Sequence, residues 1–198
     1  GGVGKTTIVT NLAVVWQNLG KKVLIIDADP QATTSIWFSL RKDKHNLNLV
    51  QQRGWKVTSE ISQHRFDYDI IIIDSPPHAE DSAKTLIRVS NLVLIPLQAS
   101  SADVWATERT IEFCNQEEVP YQVVINRGSA NQPEIPQVKE RFANVVGRTL
   151  GNRIAYQRAL ARGLSVIETE RNKPASQEII ALADHTLSAL ETLKTPAS

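Results

Sequence analysis

The sequence contains no methionine and a single cysteine, Cys114. One cysteine excludes an internal disulfide, and alone it holds neither a metal ion nor an iron–sulfur cluster, which fits a reducing cytoplasm. No apolar run approaches the roughly 18 residues that a membrane-spanning helix needs, and the start of the sequence has no signal-peptide pattern. These absences predict a cytoplasmic protein without a redox cluster or a membrane span.

Charge is nearly balanced, with 22 basic and 21 acidic residues and a net charge of +1, so total charge predicts no partner. Its distribution is uneven, because the segment 141–162 contains five arginines and no acidic residue. The 198 residues, 41% of them hydrophobic, suffice for one domain over residues 1–198 with a sizeable core.

Short apolar runs alternate with amphipathic stretches along the chain. Runs rich in β-branched residues are typical of strands buried on both faces of a parallel sheet. Such runs occupy 23–26, 70–73, 92–95 and 123–125. Helical spacing predicts helices over 8–19, 79–89, 103–117, 134–145 and 175–193. This βαβ series predicts an α/β fold, a mostly parallel sheet with helices on both faces, whose ligands lie beyond the carboxyl ends of the strands. The stretch 41–65 has the weakest pattern, and we interpret it as a surface insertion.

The first seven residues form a glycine-rich phosphate-binding loop (P-loop). Its members are Gly1, Gly2, Val3, Gly4, Lys5, Thr6 and Thr7. Glycines let backbone N–H groups point at a phosphate chain, and the helix that begins near Lys5 adds its positive dipole end. Lys5 is expected to reach the β- and γ-phosphates and the Thr6 hydroxyl to bind Mg²⁺, so ATP is the expected ligand. The alternative, a glycine-rich turn that merely caps a helix, is disfavoured by the GKTT sequence at the helix start.

The same loop ordinarily follows a β-strand. Because the sequence starts inside the loop and has no methionine even at position 1, we expect a short stretch before Gly1 that includes this strand.

Three aspartates end two of the predicted strands. Asp74 follows the run 70–73, where a carboxylate would face the phosphate loop and hold Mg²⁺ directly or through water. Asp27 and Asp29 follow the run 23–26, where they would orient the attacking water and support the metal shell. For each of the three, the alternative is a carboxylate that only caps a turn.

Asn126 and Arg127 follow the fourth run and complete the candidate nucleotide site. The amide of Asn126 is suited to hydrogen-bond the edge of a purine ring. The alternative is a turn residue before Gly128, and the spacing favours neither.

The arginine-rich segment contains a candidate strip for binding phosphates of DNA. Its members are Arg148, Arg153, Arg158 and Arg162, of which the last two are one helical turn apart if the helix continues. The alternative is a solvated basic face, or ion pairs with Glu168 and Glu170, and the residues alone favour this alternative over DNA.

Together these segments resemble the ParA/MinD family of deviant Walker-motif ATPases, over nearly the whole chain and in the family's order. The matching segments are GGVGKTT at 1–7, DADPQ at 27–31, DSPP at 74–77, IP at 95–96, SADVWAT at 101–107 and INR at 125–127. The combination is specific, although each segment after the first is weak alone.

The resemblance implies an ATP-dependent sandwich dimer with nucleotide at the interface. It implies that Asp29 positions the attacking water, that Asp27 and Asp74 support Mg²⁺, and that Asn126 contacts adenine. Lys5 and the rest of the loop keep the roles given above. The family also has a signature lysine just before the paired glycines, a position ahead of Gly1, which crosses to the partner subunit's nucleotide.

Composition narrows the resemblance. A single cysteine disfavours the nitrogenase-iron-protein type, and the end of the chain lacks the basic amphipathic helix that anchors MinD to membranes. What remains resembles the small ParA proteins without an N-terminal DNA-binding extension, which position plasmids, chromosomal loci or carboxysome-like compartments. This implies a cytoplasmic, nucleoid-associated ATPase that binds DNA non-specifically and meets a ParB-like or McdB-like adaptor, which stimulates hydrolysis.

A second reading of the same fold is a small-molecule ligase or kinase similar to dethiobiotin synthetase. It would use ATP to phosphorylate a small carboxylic or amine substrate. The sequence shows no second cluster of polar residues that would define a pocket for that substrate.

Overall fold

The computed structural model of the protein describes residues 2–76, 80–129 and 132–194, with the backbone alone for 80–82, 101, 102 and 194. Within these residues, strands and helices alternate. The strands are β1 (Val23–Asp27), β2 (Leu47–Gln51), β3 (Ile70–Asp74), β4 (Val93–Leu97) and β5 (Tyr121–Ile125). The helices are α1 (Lys5–Asn18), α2 (Thr33–Leu40), α3 (Lys56–His64), α4 (Glu80–Arg88), α5 (Ser101–Gln116), α6 (Glu134–Arg141), α7 (Ile154–Leu160), α8 (Val166–Thr169) and α9 (Pro174–Lys194).

The strands form two parallel sheets, one in the order β2-β1-β3 and one that pairs β4 with β5. The last residue of β1, Asp27, is in register with Gln51 on β2 and with Asp74 on β3. The carboxyl ends of these three strands therefore lie at one edge of the sheet, where the sequence predicts the ligand.

Helices cover both faces of the first sheet. Val23 and Ile25 of β1 belong to a buried cluster with residues of α1 and α9, whereas Leu24 and Ile26 belong to another with residues of α3 and α4. Because successive side chains of a strand point to opposite faces, the two clusters lie on opposite sides of the sheet. This arrangement confirms the predicted α/β class with a parallel sheet between helices.

The second sheet has its own packing partners. Leu97 and Ile125 pack with Ile135 of α6, while Ile95 packs with the buried Cys114 of α5. Val124 instead belongs to the large cluster that contains α1 and α9. Residues of both sheets thus meet in a shared apolar core.

Two predictions about the elements were wrong. The stretch 41–65 is not an insertion, because it contains β2, which pairs with β1, and α3, which packs on the first sheet. The helix predicted over 134–145 ends at Arg141, since Phe142 is extended and Asn144 has a positive φ of 58°. Val145 then makes an isolated parallel bridge with Val123.

The final helix α9 packs Ile179 and Leu182 against the core, while Ile180 is 42% exposed. In the part of the chain that the structure describes, no helix combines the length and the apolar character needed to cross a membrane.

Candidate functional site

The phosphate loop leads directly into α1. Gly2 and Gly4 have φ values of 99° and 92°, a conformation that favours glycine. Gly4 is the residue before the helix, and α1 contributes no acidic residue to its own first turn, so the positive dipole end of this helix suits an anion. Gly1, predicted to belong to the loop, lies outside the described residues, as does Pro77 of the DSPP segment.

Asp74 is brought next to the loop as predicted. Its Oδ2 accepts hydrogen bonds from Thr6 Oγ1 at 2.6 Å and from Thr34 Oγ1 at 2.5 Å. Its Oδ1 is buried and has no hydrogen-bond partner among the described residues. Burial raises the pKa of Asp74, against the lowering effect of the hydrogen bonds from Thr34 and Thr6. A buried carboxylate oxygen without a partner, beside a threonine hydroxyl, fits a Mg²⁺ ligand.

The donor set is small, as Mg²⁺ at a phosphate site requires. Nowhere in the residues that the structure describes do three or more His, Cys, Asp or Glu side chains cluster in a way that would hold a metal. Mg²⁺ in nucleotide sites commonly takes one or two protein oxygens and completes its shell with phosphate oxygens and water. Thr6 and Asp74, whose metal roles stay predictions, would supply that number of protein oxygens, and Asp27 is the third residue predicted for this shell.

Asp27 is fully buried and holds the start of α2. Its Oδ2 accepts hydrogen bonds from Ser35 N at 2.8 Å and from Ser35 Oγ at 2.6 Å, and its Oδ1 accepts one from Asp29 N at 3.2 Å. The residue that precedes α2, Ala32, has no capping side chain, so Asp27 supplies the missing acceptor. The predicted metal and catalytic roles of Asp27 stay predictions.

Asp29 lies just past the end of β1 and is only partly buried. Its Oδ1 accepts a hydrogen bond from Gln31 N at 2.9 Å, which fixes the turn that follows. This places a carboxylate at the same sheet edge as Asp27 and Asp74. The predicted role of Asp29 in orienting water is consistent with this position and stays a prediction.

Asn126 contacts the loop itself. Its Nδ2 donates to the carbonyl of Val3 at 2.7 Å, and its Oδ1 accepts from the N–H of Arg127 at 2.9 Å. Asn126 is 6% exposed, whereas Arg127 is exposed and has a positive φ of 54°. The structure therefore joins Asn126 to the loop, and the predicted contact with adenine stays a prediction.

Three polar residues of this site were missed by sequence reasoning: Thr34, Ser35 and Gln98. Gln98 follows β4 immediately and donates from Nε2 to the carbonyl of Gly2 at 3.3 Å. The signal that identified Asn126, a polar residue directly after an apolar run, would have found Gln98 only if the run 92–95 had been extended through Pro96 and Leu97. Thr34 and Ser35 had no such signal, because their contacts depend on where α2 begins.

The far end of α2 is fixed as firmly as its start. The guanidinium of Arg41 is buried, makes two hydrogen bonds to Glu168 at 2.9 and 3.1 Å, and also donates to Gln17 at 3.0 Å. Trp37 donates from Nε1 to the carbonyl of Leu164 at 3.1 Å. These contacts connect α2 and the residue after it to α1, to α8 and to the turn between α7 and α8.

The four arginines of the predicted DNA-binding strip differ in exposure and pairing. Arg148, Arg158 and Arg162 are exposed, and Arg162 lies in the turn after α7 rather than within the helix. Arg153 instead pairs with the buried Glu178 at 2.6 Å. Its guanidinium therefore has an intramolecular partner before any DNA is bound, although its predicted DNA contact is untested.

A shallow pocket of about 450 Å³ lies beside the carboxyl end of β2. Its lining residues are Gln51, Gln52, Arg53, Trp55 and Lys56. Arg53 donates to the carbonyl of Pro30 at 3.1 Å, which connects the pocket to the segment that carries Asp29.

The chain is similar to known proteins both in sequence and in fold. A family model described as an AAA domain matches residues 1–65. Maintenance of carboxysome distribution protein A from Halothiobacillus neapolitanus is 23% identical over 192 residues, covering 90% of this chain and 88% of that protein. Protein ParA from Rhizobium radiobacter is 25% identical over 119 residues, covering 60% of this chain and 54% of that protein.

Among solved structures, the septum site-determining protein MinD from Pyrococcus horikoshii, in complex with Mg-ADP, has a similar fold. The TM-score is 0.82 at 18% identity, and the match covers 100% of this chain and 96% of that chain. At this identity the likeness establishes the fold alone.

Proposed function

We propose that this chain, a member of the ParA/MinD family of P-loop ATPases, hydrolyses ATP to ADP and phosphate as the timing step of a dimer–monomer cycle. In this cycle the ATP-bound homodimer holds non-specific DNA, and an adaptor on an intracellular cargo stimulates hydrolysis and release. The relative from Halothiobacillus neapolitanus is named for maintenance of carboxysome distribution. The class of cargo proposed here is a carboxysome-like compartment, a plasmid or a chromosomal locus. Residues 1–198 form one domain. The protein acts in the cytoplasm, in association with the nucleoid.

The observation that carries this proposal is the pairing of Thr6 with Asp74 behind the phosphate loop. Mg²⁺, when bound with ATP, neutralises charge on the β- and γ-phosphates. The Thr6 hydroxyl and Asp74 Oδ1, the oxygen without a partner, would hold this metal. Thr34 keeps its hydrogen bond to the other oxygen of Asp74, so the carboxylate does not rotate.

The remaining chemistry is positioning. Lys5 holds the terminal phosphates, and the loop N–H groups surround the phosphate chain. Asp29 accepts a hydrogen bond from the attacking water and aligns it with the γ-phosphate. Phosphoryl transfer needs such alignment and charge stabilisation more than strong acid–base chemistry.

Binding of ATP is tested first, with Lys5→Ala against Lys42→Ala, a change at an exposed lysine outside the site. Titration of Mg-ATP by calorimetry should show loss of binding in Lys5→Ala and unchanged binding in Lys42→Ala. Equal affinity in both variants would remove the phosphate loop from the proposal.

The rival function, a small-molecule ligase or kinase, is favoured by the polar pocket at the end of β2. Its cations, Arg53 and Lys56, would suit a carboxylate substrate. Turnover of ATP only after addition of a small carboxylate or amine, with no retention of DNA, would replace the proposed function with this one.

A further inference from the structure

We propose that Glu178 is a positioning residue for DNA binding, which holds the guanidinium of Arg153 by one edge so that the other edge is presented to a phosphate of DNA. This inference rests on the proposed non-specific DNA binding and deepens it. It assigns a role to a buried acidic residue, and it explains how Arg153 can serve DNA while it is paired within the chain.

Glu178 collects the donors of the segment that leads into α7. It lies on α9, is 5% exposed and accepts hydrogen bonds through both of its oxygens. Arg153 donates to it from Nε at 3.1 Å and from Nη2 at 2.6 Å, and the N–H of Gly151 and the hydroxyl of Tyr156 donate at 3.0 and 3.2 Å. A buried carboxylate requires a cation and hydrogen bonds together, and Glu178 has both.

The pairing occupies only one edge of the guanidinium. This group carries five N–H donors in a rigid planar fork, and Glu178 binds those of Nε and Nη2. Nη1 has no acceptor among the residues that the structure describes, and the Arg153 side chain remains 39% exposed. Phosphate oxygens accept charge-assisted hydrogen bonds from such donors. Arg153 therefore neutralises Glu178 and still offers N–H groups to a phosphate.

The guanidinium of Arg153 is also ordered before any phosphate arrives. An exposed arginine loses rotamer freedom when a phosphate immobilises it. Arg153 is already held by Glu178 and lies against Gly151, where an added Cβ would be 2.9 Å from its Nε. Arg158 is exposed on α7 without a comparable partner in the described part of the chain. Of these two arginines, Arg153 is thus the preorganised one.

Neutralising Glu178 separates positioning from simple charge by the sign of the effect. Glu178→Gln adds one positive charge, so a carboxylate that only competes with DNA for Arg153 predicts tighter binding of random-sequence duplex DNA. Positioning predicts weaker binding and a smaller slope of log K against log salt, by up to the 0.9 or so expected when Arg153→Gln removes one phosphate contact. Fluorescence anisotropy with Mg-ATP over a series of salt concentrations measures both quantities.

The matched control is Glu112→Gln, which makes the same change in net charge at an exposed glutamate of α5 and should not weaken DNA binding. Tighter binding by Glu178→Gln, or an unchanged salt slope in Arg153→Gln, would overturn the proposal. The second result would mean that Arg153 only neutralises Glu178.

A double variant distinguishes positioning from damage to the segment around Arg153. If Glu178 acts through Arg153, Glu178→Gln should weaken DNA binding in the wild type and should not weaken it further in the Arg153→Gln background. Equal weakening in both backgrounds would mean that Glu178 supports the segment as a whole, and would contradict positioning.

Two further variants leave the net charge unchanged. Gly151→Ala keeps the N–H that binds Glu178, and alanine fits the backbone there because the φ of Gly151 is not positive. Its Cβ displaces the guanidinium of Arg153, so the salt slope should fall as in Glu178→Gln. Arg153→Lys keeps the cation but cannot bind by two edges, so it should lose more DNA affinity than Arg158→Lys. Wild-type binding by Gly151→Ala, or equal losses in the two lysine variants, would contradict the held guanidinium.

Affinity for Mg-ATP, measured by calorimetry without DNA, should be that of the wild type in every variant, because none of the substituted residues contacts the phosphate loop in the described structure. Absence of DNA binding by the wild type would overturn the proposed function together with this inference. Wild-type DNA binding combined with any of the contrary results above would overturn the inference alone.

Discussion

Asp74 is buried to 1% exposure and has one oxygen, Oδ1, without a hydrogen-bond partner in the described part of the chain. Burial raises its pKa, so its ionised form is disfavoured in the folded protein relative to the unfolded chain. A raised pKa means that the stability due to the protonated form is complete below the unfolded pKa and is lost as pH rises through the folded pKa. At neutral pH the charge on Asp74 therefore destabilises the fold, and its role is to bind the ligand.

Asp74→Asn should raise the thermal midpoint of the nucleotide-free protein at pH 7, because the amide keeps an acceptor for Thr6 and Thr34 and carries no buried charge. The gain should shrink as pH falls toward the raised pKa, where Asp74 itself is neutral. Differential scanning calorimetry at several pH values measures this, and calorimetric titration of the same variant should show weaker binding of Mg-ATP. A lower midpoint at pH 7 would contradict the assignment.

Asp29 is partly exposed at the strand end, and its replacement leaves the loop intact. Asp29→Ala should bind Mg-ATP within a few-fold of the wild type and lower the hydrolysis rate by about 10²-fold or more, in the range of a lost general base or positioning group. Phosphate release under single-turnover conditions measures the rate. Asp69→Ala, whose carboxylate accepts from the N–H of Lys22 far from the loop, is the control and should hydrolyse ATP normally.

At the scale of the elements, α2 is held at both ends by carboxylates that belong to other elements. Asp27 and Asp74 bind Ser35 and Thr34 at its start, and Glu168 binds Arg41 just after its end. The helix is only eight residues long, too short to be stable alone. Its position therefore depends on these anchors and on Trp37.

Removing Arg41 alone from the Arg41–Glu168 pair should lower the free energy of unfolding more than neutralising both residues does. Arg41→Met leaves Glu168, whose side chain is 25% exposed, without its cation and should lower the free energy of unfolding by about 1.5–3 kcal/mol, the cost of losing hydrogen bonds to a charged group. Adding Glu168→Gln keeps an acceptor for the N–H of Ser165 and should restore much of this loss.

Urea unfolding measures these free energies, and Arg171→Met, at an exposed arginine, should change little. An equal loss in the Arg41→Met single variant and in the Arg41→Met/Glu168→Gln double variant would show that the pairing is unimportant.

The sequence was most informative where burial is complete on both faces. The run 23–26 predicted β1 because all its side chains are buried, so no polar residue interrupts it. The edge strand β2 was missed because it alternates buried Leu47 with exposed Asn48 and was too short to show a pattern. Burial on one face leaves half of a five-residue strand polar, which resembles a loop.

The residues of the site likewise divide into those that the sequence predicted and those that it missed. The loop and the three aspartates were identified because each stands at a fixed offset from a strand end, a local property. Contacts such as Thr34 with Asp74 join residues 40 positions apart and arise only when α2 is placed. The use of Asp27 as a cap for α2 was equally invisible, since it follows from Ala32 having no capping side chain.

At the scale of the molecule, α7, which carries Arg158, and α3 pack on different sides of the first sheet. Tyr156 and Ala159 of α7 belong to the cluster with α1 and α9, whereas Val57 of α3 belongs to the opposite cluster. This separation supplies a matched pair of surface charges, Arg158 on one side and Arg65 on the other, both exposed.

Arg158→Glu should weaken ATP-dependent binding to random-sequence duplex DNA and lower the slope of log K against log salt by about 1, as for one lost phosphate contact. Arg65→Glu makes the same change in net charge and should leave both quantities unaltered. Fluorescence anisotropy over a series of salt concentrations measures them. Equal weakening by both substitutions would mean that DNA responds only to net charge.

Cys114 lies in the core between α4 and β4, and burial raises the pKa of its thiol to about 11. Maleimides react with exposed thiolates, so this chain should stay unlabelled at pH 7 without denaturant. A cysteine introduced on the surface would then be the single attachment point for a dye. The proposed ATP-dependent dimer could therefore be tested by energy transfer between labelled copies of this chain without first replacing Cys114.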